Sequence, residues 1–393
     1  MRPLQIMKPL PLAIAALSAG LSSQALAQPM LEEVVVTAQK RAQSLQDVPI
    51  TVSAVSQEEM KNAGIEQVVD VTKLVPSLHV LTSGLPSRTS IRIRGIGTNP
   101  SDPSLEPSVG LFIDGVYMPR SVFGLSDLVD VERIEVLNGP QGTLYGKNTN
   151  AGVISVTTQG MPSESLEGFG EVTTGSESQL DGKVSVASAV NDTLGLRFGA
   201  NLRNRDGVYD DINNGDQYDE IDKESYRGQV YWLPSDAVSV RAAGYYSSSE
   251  GKVGSNDSQF DSDYVAGMAF LTGQDISSQI DTDPENRKVS RDFQPATELA
   301  VKGASVQLDY VFDNGITFTS ITAGQQWDMD GWGNDVDNLS LDVLSTNVYQ
   351  EEDTFSQEFR LTSAGAEKID WLVGAFYFDS DLQVGDINKP FAR

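Results

Sequence analysis

From Val131 to Gln159 the chain reads VERIEVLNGPQGTLYGKNTNAGVISVTTQ, with Val131, Ile134 and Val136 in a loose period of two against Glu132, Arg133 and Glu135. The pattern predicts a strand that stops at Asn138-Gly139-Pro140, where glycine permits positive φ and proline has no donor for a ladder. After Gly142, Gly146 and Gly152, the β-branched run Val153 to Thr158 predicts the next strand. Upstream, Val48 to Val55 alternates as a strand. Ser56-Gln57-Glu58-Glu59 is a capping box opening a short helix that ends at Gly64. Ile65 to Leu74 predicts a second helix with Ile65, Val68, Val69 and Val71 on its apolar side, stopped before Pro76. Ile91-Arg92-Ile93-Arg94-Gly95 alternates again, and Val109 to Ile113, Asp114-Gly115 and Val116 to Met118 form a hairpin signal. These elements predict a small mixed α/β sheet with helices beside it.

Beyond residue 160 the pattern becomes repetitive antiparallel strand. Leu194, Leu196, Phe198, Ala200 and Leu202 alternate with Gly195, Arg197, Gly199, Asn201 and Arg203. The same code runs through Ala304, Val306, Leu308, Tyr310 and Phe312 against Ser305, Gln307 and Asp309, and through Phe355, Phe359 and Leu361 against Ser356, Glu358 and Arg360. A half-buried strand of a soluble sandwich has this period too, as does a lipid-out, lumen-in barrel strand. The connections separate the two. Asp313-Asn314-Gly315 and Pro234-Ser235-Asp236 are short, whereas Asp206 to Glu224 and Glu250 to Lys302 are long, polar and acidic. That alternation suits the two ends of a membrane barrel. About nine such strands fit between residues 165 and 385, near the ~9 to 11 residues a tilted strand needs to cross a bilayer. Tyr231, Trp232, Tyr245, Tyr246, Trp371, Phe376, Tyr377 and Phe378 are candidate interfacial girdle residues.

The N-terminus changes the setting. Arg2 and Lys8 precede a mostly apolar Leu10 to Leu21 stretch, and Ala25-Leu26-Ala27 is a small-x-small cleavage site. Residues 1–27 therefore read as a secretory signal, and the mature chain is expected to begin near Gln28.

Composition narrows the chemistry. The 393 residues contain no cysteine and one histidine, His79, so thiol nucleophiles, zinc-thiolate sites and two-histidine metal sites are excluded by residue type. No G-x-S-x-G surrounds any serine. A phosphate loop also fails, because Gly142 to Gly146-Lys147 has three intervening residues and is followed by Asn148. Carboxylate pairs are abundant, but abundance is not placement. His79 sits in Pro76-Ser77-Leu78-His79-Val80, a strand-like piece better suited to structure than to catalysis, and no enzyme, cofactor or metal site is expected. The acidic run Asp206, Asp210, Asp211, Asp216, Asp219, Glu220, Asp222 lacks a complete EF-hand spacing and reads as a solvated loop. Net charge is −27, of which the segment 161–393 carries −25. Nucleic acid is thus excluded as a partner, since phosphate binding needs clustered Lys and Arg, and the shift near residue 160 marks a domain boundary.

Five segments in this order, DVPITVSAVS (Asp47 to Ser56), VVDVTKLVPSLHV (Val68 to Val80), IRIRGIG (Ile91 to Gly97), VGLFIDGVYM (Val109 to Met118) and VERIEVLNGPQGTLYG (Val131 to Gly146), resemble the plug domain of TonB-dependent outer-membrane receptors. They cover most of residues 47–158. Two positions depart from the family pattern: Asn138 stands where an arginine is usual, and Ala151 where a second glycine is usual. An ion pair from that arginine to the barrel cannot be carried over to Asn138.

The resemblance implies a mixed α/β plug (residues 47–160) followed by antiparallel transmembrane β-barrel strands (161–393), located in the outer membrane and in contact with its lipid. Leu31-Glu32-Glu33-Val34-Val35-Val36-Thr37-Ala38 resembles the TonB box, within an N-terminal segment 28–46. Its three valines favour an extended backbone, and a free extended segment can add as a strand to the sheet of a TonB-type inner-membrane energy transducer. Gln39 to Ser44 is expected as a polar tether. Loops 81–90, 97–108 and 118–124 are expected to face the outside, making Arg88, Asn99, Asp102 and Arg120 candidate substrate contacts. The implied cargo is a ferric siderophore, with oligosaccharide, cobalamin or aromatic compounds as alternatives; a secreted β-rich binding or adhesion protein is the competing class. Family barrels have about 22 strands. The chain, ending at Lys389-Pro390-Phe391-Ala392-Arg393, therefore reads as the N-terminal portion of a longer product, with two open sheet edges.

Overall fold

A computed structural model describes residues 35–385 apart from 38, 42, 83–85, 101, 103, 213–214, 253–261, 274–285, 290–295, 336–344 and 366–368. The secretory signal lies outside the described residues. A short hairpin of β1 (Val35–Val36) and β2 (Gln43–Ser44) leads into β3 (Val52–Ser56) and α1 (Gln57–Ala63). Helix α1 begins where its sequence says: the Ser56 hydroxyl accepts from Glu59 N–H and the Glu59 carboxylate accepts from Ser56 N–H at 2.9 Å. It ends at Gly64, whose φ of 60° is costly for any other residue.

The second expected helix, 65–74, is instead a single 3-10 stretch, Val68–Lys73. Ile65 N–H is already committed to Met60 O, and the Asp70 carboxylate accepts from both Glu66 N–H and Gln67 N–H. The Asp70 carboxylate thus caps the turn, and the three-residue bonds Asp70 N–H to Gln67 O and Leu74 N–H to Val71 O keep it 3-10.

Then come β4 (Leu78–Thr82), β5 (Thr89–Ile93), β6 (Val109–Ile113), β7 (Val116–Met118), β8 (Val131–Asn138), the short α2 (Gly142–Tyr145) and β9 (Gly152–Thr158). Five of the strands form one mixed sheet in the order β3-β8-β9-β6-β7, with β6 and β9 parallel, and β4 and β5 pair separately. Val55, Val68, Ile91, Leu111, Ile134 and Ile154 fill its core.

The remaining strands are β10 (Glu167–Thr174), β11 (Leu180–Asn191), β12 (Leu194–Arg205), β13 (Tyr209–Asp211), β14 (Gln217–Tyr218), β15 (Ile221–Ser235), β16 (Val238–Gly251), β17 (Lys288–Val289), β18 (Ala296–Val311), β19 (Thr317–Asp335), β20 (Ser345–Thr362) and β21 (Leu372–Val384), with helix α3 (Ser262–Thr272) between β16 and β17. Among the described residues, nine of these strands build one antiparallel wall in the order β10-β11-β12-β15-β16-β18-β19-β20-β21. Alternation along β12 holds as the sequence predicts: Leu196, Phe198 and Leu202 are exposed on the outer face, while Asn201 is buried against the plug. The inner face of β18 and β19 supplies Leu299, Val301, Ile321, Ala323, Trp327 and Met329 to the same core as the plug sheet. Plug and wall thus share one apolar interior.

Four expectations shift in detail. Asp222 and Glu224 belong to β15, and Glu298 and Lys302 to β18, because both strands run further than their apolar parts suggest. Within the expected long loops, β13 pairs with β14 and with β17. Tyr231 and Tyr245 point inward, donating to Gln159 O and approaching Met118 Sδ, and Phe378 packs edge-on against Tyr117 of the plug. Trp232, Tyr246 and Tyr377 stay exposed, as girdle residues would be.

The two ends of the wall differ. The tight connections 192–193, 236–237 and 312–316 lie at one end, and the longer connection between β12 and β15, with β13 and β14, at the other. On the outer face near the long-connection end, Asp222 pairs directly with Glu250, Glu250 with Glu298, and Glu298 with Asp330. Such a row is incompatible with hydrocarbon and lies beyond the apolar belt.

Candidate functional site

Ion pairs fix the orientation of the plug against the wall. Asp130 meets Arg197 at 3.0 Å, Asp127 meets Arg203 at 3.3 Å and Glu66 meets Lys183 at 3.2 Å. Asp114, in the β6–β7 turn, faces both Arg227 and Arg241 and accepts from Thr158 N–H at 2.9 Å. Burial opposes ionisation of this carboxyl, but the two guanidinium groups and Thr158 together hold it below the usual carboxylate range. On the opposite flank the polarity reverses, and plug cations meet wall carboxylates: Arg120 with Glu352 at 2.8 Å and Lys40 with Glu358 at 2.7 Å. Only one rotation of the plug satisfies both flanks.

At the long-connection end, a small open cleft of about 50 Å³ lies between plug loops and wall. Three sequence-predicted contacts, Asn99, Asp102 and Arg120, line it together. The 3-10 turn Pro86–Arg88 brings Ser87 to the cleft, but Arg88 itself is not among its lining residues. Sequence reasoning missed the wall's share: Trp327, Gln350 and Leu382. Behind them the buried Glu352 accepts from Arg120, from Trp327 Nε1 at 2.9 Å and from Ser380 Oγ at 2.6 Å. The only sequence signal for these residues is their inward parity on β19, β20 and β21. Hydroxyls of Thr89, Ser90, Thr98 and Ser121, the amides of Asn99 and Gln350, and one guanidinium give the cleft many directional donors and acceptors. Asp102 is tied down, accepting from Ser104 Oγ at 2.6 Å and from Ser104 N–H at 2.9 Å, and these bonds hold its carboxyl below the usual range.

The other candidate segment sits at the short-connection end. Leu31, Glu32, Glu33, Val34 and Ala38 lie outside the described residues; Val35, Val36 and Thr37 are described. They are not free. Val35 pairs with Ser44 and Val36 with Gln43, so the expected tether folds back as a strand. Val36 is fully buried among Val48, Phe112, Tyr117, Leu137, Tyr145 and Val153, and this burial explains the departure from an exposed tail. Thr37 N–H donates to the buried carboxylate of Glu135 at 2.8 Å, Glu135 in turn pairs with Arg133, and Thr37 O accepts from Lys40 N–H. Lys40 and Arg41 then anchor to Glu358 and to Ser363 and Trp371 O of the β20–β21 end. Burial lowers the Lys40 ammonium's pKa despite its pairing with Glu358.

Neither expected departure at the end of β8 leaves a gap. Asn138, where the family arginine is missing, bonds Thr51 O through Nδ2 and makes no ion pair, and Ala151 is buried in the plug core. His79 is exposed on β4 opposite Arg92, and no group of three or more potential metal ligands occurs among the described residues.

A mixed-sheet domain seated by ion pairs against the inner face of a long antiparallel transmembrane wall defines a plugged outer-membrane barrel protein. Comparison with known proteins carries this one step further. Residues 44–153 match the family model TonB-dependent Receptor Plug Domain. The pesticin receptor of Yersinia pestis is 33% identical over 170 residues, covering 42% of this chain and 24% of its own length. The vitamin B12 transporter BtuB of Vibrio vulnificus is 26% identical over 376 residues, 91% of this chain and 56% of its own length. Among solved structures, the ferric yersiniabactin uptake receptor FyuA from Yersinia pestis superposes with a TM-score of 0.69 at 22% identity, covering 85% of this chain and 49% of that one. The ferripyoverdine receptor of Pseudomonas aeruginosa gives 0.70 at 16% identity, covering 88% and 44%. The chain spans less than two thirds of the length of the curated relatives it matches. Residues 44–153 thus carry a TonB-dependent receptor plug domain, and the chain as a whole is similar to outer-membrane receptors that contain one.

Proposed function

We propose that the chain supplies the plug and the first part of the barrel of a receptor for active uptake of a scarce nutrient, gated by the plug and energised through the TonB box, Leu31 to Ala38. The observation that carries this reading is the placement of two features at opposite ends of one plug: the polar cleft at the long-connection end and the box segment at the short-connection end. A cargo captured at nanomolar affinity is held by about 12 kcal/mol, so release needs work. An outer membrane holds no ATP and no sustained ion gradient. Force applied to the box from the inner membrane is a source that reaches the plug directly.

A ferric siderophore is the proposed cargo, in line with the ferric yersiniabactin and ferripyoverdine receptors that share the fold. Cobalamin is the second reading, favoured by the long sequence match to the vitamin B12 transporter. Growth under iron limitation, with and without the full-length gene, together with uptake of radio-iron from ferric siderophores, tests the first. Equal growth and equal uptake in the deletion strain, with loss of labelled cobalamin uptake instead, selects the second.

A further inference from the structure

The cleft offers hydroxyls and amides in number, but its positive charge is already spent. Arg120 is the one basic side chain among its described lining residues. Its Nε and Nη2 both bond the Glu352 carboxylate, and Nη1 bonds Leu105 O at 3.2 Å. Arg88 and Arg92 neighbour lining residues in the chain without lining the cleft themselves. Asp102 is the opposite case. Its carboxylate lines the cleft and accepts from Ser104, and no cation is paired with it among the described residues. The surroundings carry the same sign: segments 97–108 and 206–220 hold eight carboxylates and no Lys or Arg. Three of the eight, Glu106, Asp216 and Asp219, meet Lys147, Lys252 and Arg205. The others leave this end negative, which repels an anionic ligand and concentrates a cationic one.

We propose that the cleft takes a cargo without net negative charge: among ferric complexes, a tris-hydroxamate, neutral or bearing a pendant amine, rather than a tris-catecholate. The proposal rests on the ferric siderophore reading and narrows it. Three hydroxamates balance the charge of the ferric ion, whereas three catecholates leave a polyanion. A polyanion that gives up its water needs guanidinium or ammonium groups free to pair with it, and the one guanidinium here is committed to Glu352. A neutral chelate needs directional partners for its oxygen and amide periphery instead, which Thr89, Ser90, Thr98, Ser121, Asn99 and Gln350 supply. A pendant ammonium finds its counter-charge in Asp102.

Full-length receptor in outer-membrane vesicles is titrated with a size-matched panel of radio-iron probes: neutral ferric tris-hydroxamates, their amine-bearing analogues and ferric tris-catecholates. The tightest hydroxamate should bind at least about tenfold more strongly than any catecholate at physiological ionic strength. Asp102→Asn should weaken the amine-bearing probes several-fold and leave the neutral ones unchanged, and Asp102→Lys should tighten the catecholates several-fold. Glu352→Gln, which releases the Arg120 guanidinium, should tighten the catecholates as well; because that change also disturbs plug seating, the Asp102 variants carry the test independently. A catecholate bound as tightly as the best hydroxamate would overturn the proposal, and so would a panel in which no hydroxamate binds. Amine-bearing probes indifferent to Asp102→Asn would overturn the role of that carboxylate. Failure of the underlying reading shows separately: if deletion of the full-length gene leaves radio-iron uptake from every ferric siderophore unchanged, the siderophore reading is wrong and the proposal falls with it.

Discussion

Arg120 of the plug reaches the wall carboxylate of Glu352 at 2.8 Å, and the Glu352 side chain is only 2% exposed. This contact lies beside the cleft and ties the plug to β20. Removing one partner leaves the other charge buried and unpaired. Arg120→Ala is expected to destabilise plug seating by about 3–5 kcal/mol, read as faster protease cleavage of the plug in the folded full-length receptor. Arg120→Ala combined with Glu352→Gln should recover part of that loss, because no uncompensated carboxylate then remains. Equal protease sensitivity of the single variant and wild type would contradict the assigned role.

Acid should loosen the opposite flank. The Asp114 carboxyl is held below its usual value by Arg227, Arg241 and Thr158, against the effect of burial. A depressed folded pKa contributes stability that is complete above the unfolded value, near 3.8, and is lost as pH falls through the folded one. Asp114→Asn is therefore expected to cost on the order of 3 kcal/mol at neutral pH and to flatten the acid limb of a stability-versus-pH curve. An unaltered acid limb in the variant would contradict this.

Gly152 opens β9 at a φ of 153°, and a Cβ there would lie 2.3 Å from Leu137 O and 2.7 Å from Ile93 Cδ1. The backbone oxygen cannot yield as a side chain can. Gly152→Ala is expected to cost on the order of 3 kcal/mol and to lower the yield of folded receptor in outer membrane sharply. Wild-type yield with a wild-type melting temperature would show that β8 and β9 are less tightly locked than described.

His79 provides a check on chemistry. It is exposed on β4 across from Arg92 and is not among the residues that line the cleft. His79→Gln is expected to leave uptake within a few-fold of wild type. A hydrolytic turnover that disappears with this substitution alone would reopen an enzymatic role.

The plug was legible because its signals are local: a capping box before Gln57, a glycine at each tight turn, and Asp114-Gly115 between two short apolar runs. The wall was legible because a period of two survives over long strands such as β12 and β18. Strand ends were read poorly, since Asp222, Glu224 and Glu298 lie outside the apolar belt and carry no apolar code. The second helix is a 3-10 turn instead, set by the bonds Asp70 N–H to Gln67 O and Leu74 N–H to Val71 O, a choice of hydrogen-bond spacing that apolar periodicity does not encode. Half of the cleft was hidden for a similar reason. Asn99, Asp102 and Arg120 come from loops whose position follows from the plug, but Trp327, Gln350 and Leu382 join them only through wall register. The docking of Val36 depends on six apolar residues scattered from Val48 to Val153, a juxtaposition that only the folded sheet creates.

The central proposal is that the segment Leu31 to Ala38 is the handle through which uptake is energised. Val35→Pro removes one backbone donor and distorts the strand. In cells carrying the full-length receptor, cargo binding at the surface and energised cargo uptake should be measured side by side. The account predicts that binding stays near normal while uptake falls to the level of a strain lacking the transducer. Undiminished uptake by a correctly folded Val35→Pro receptor would contradict it.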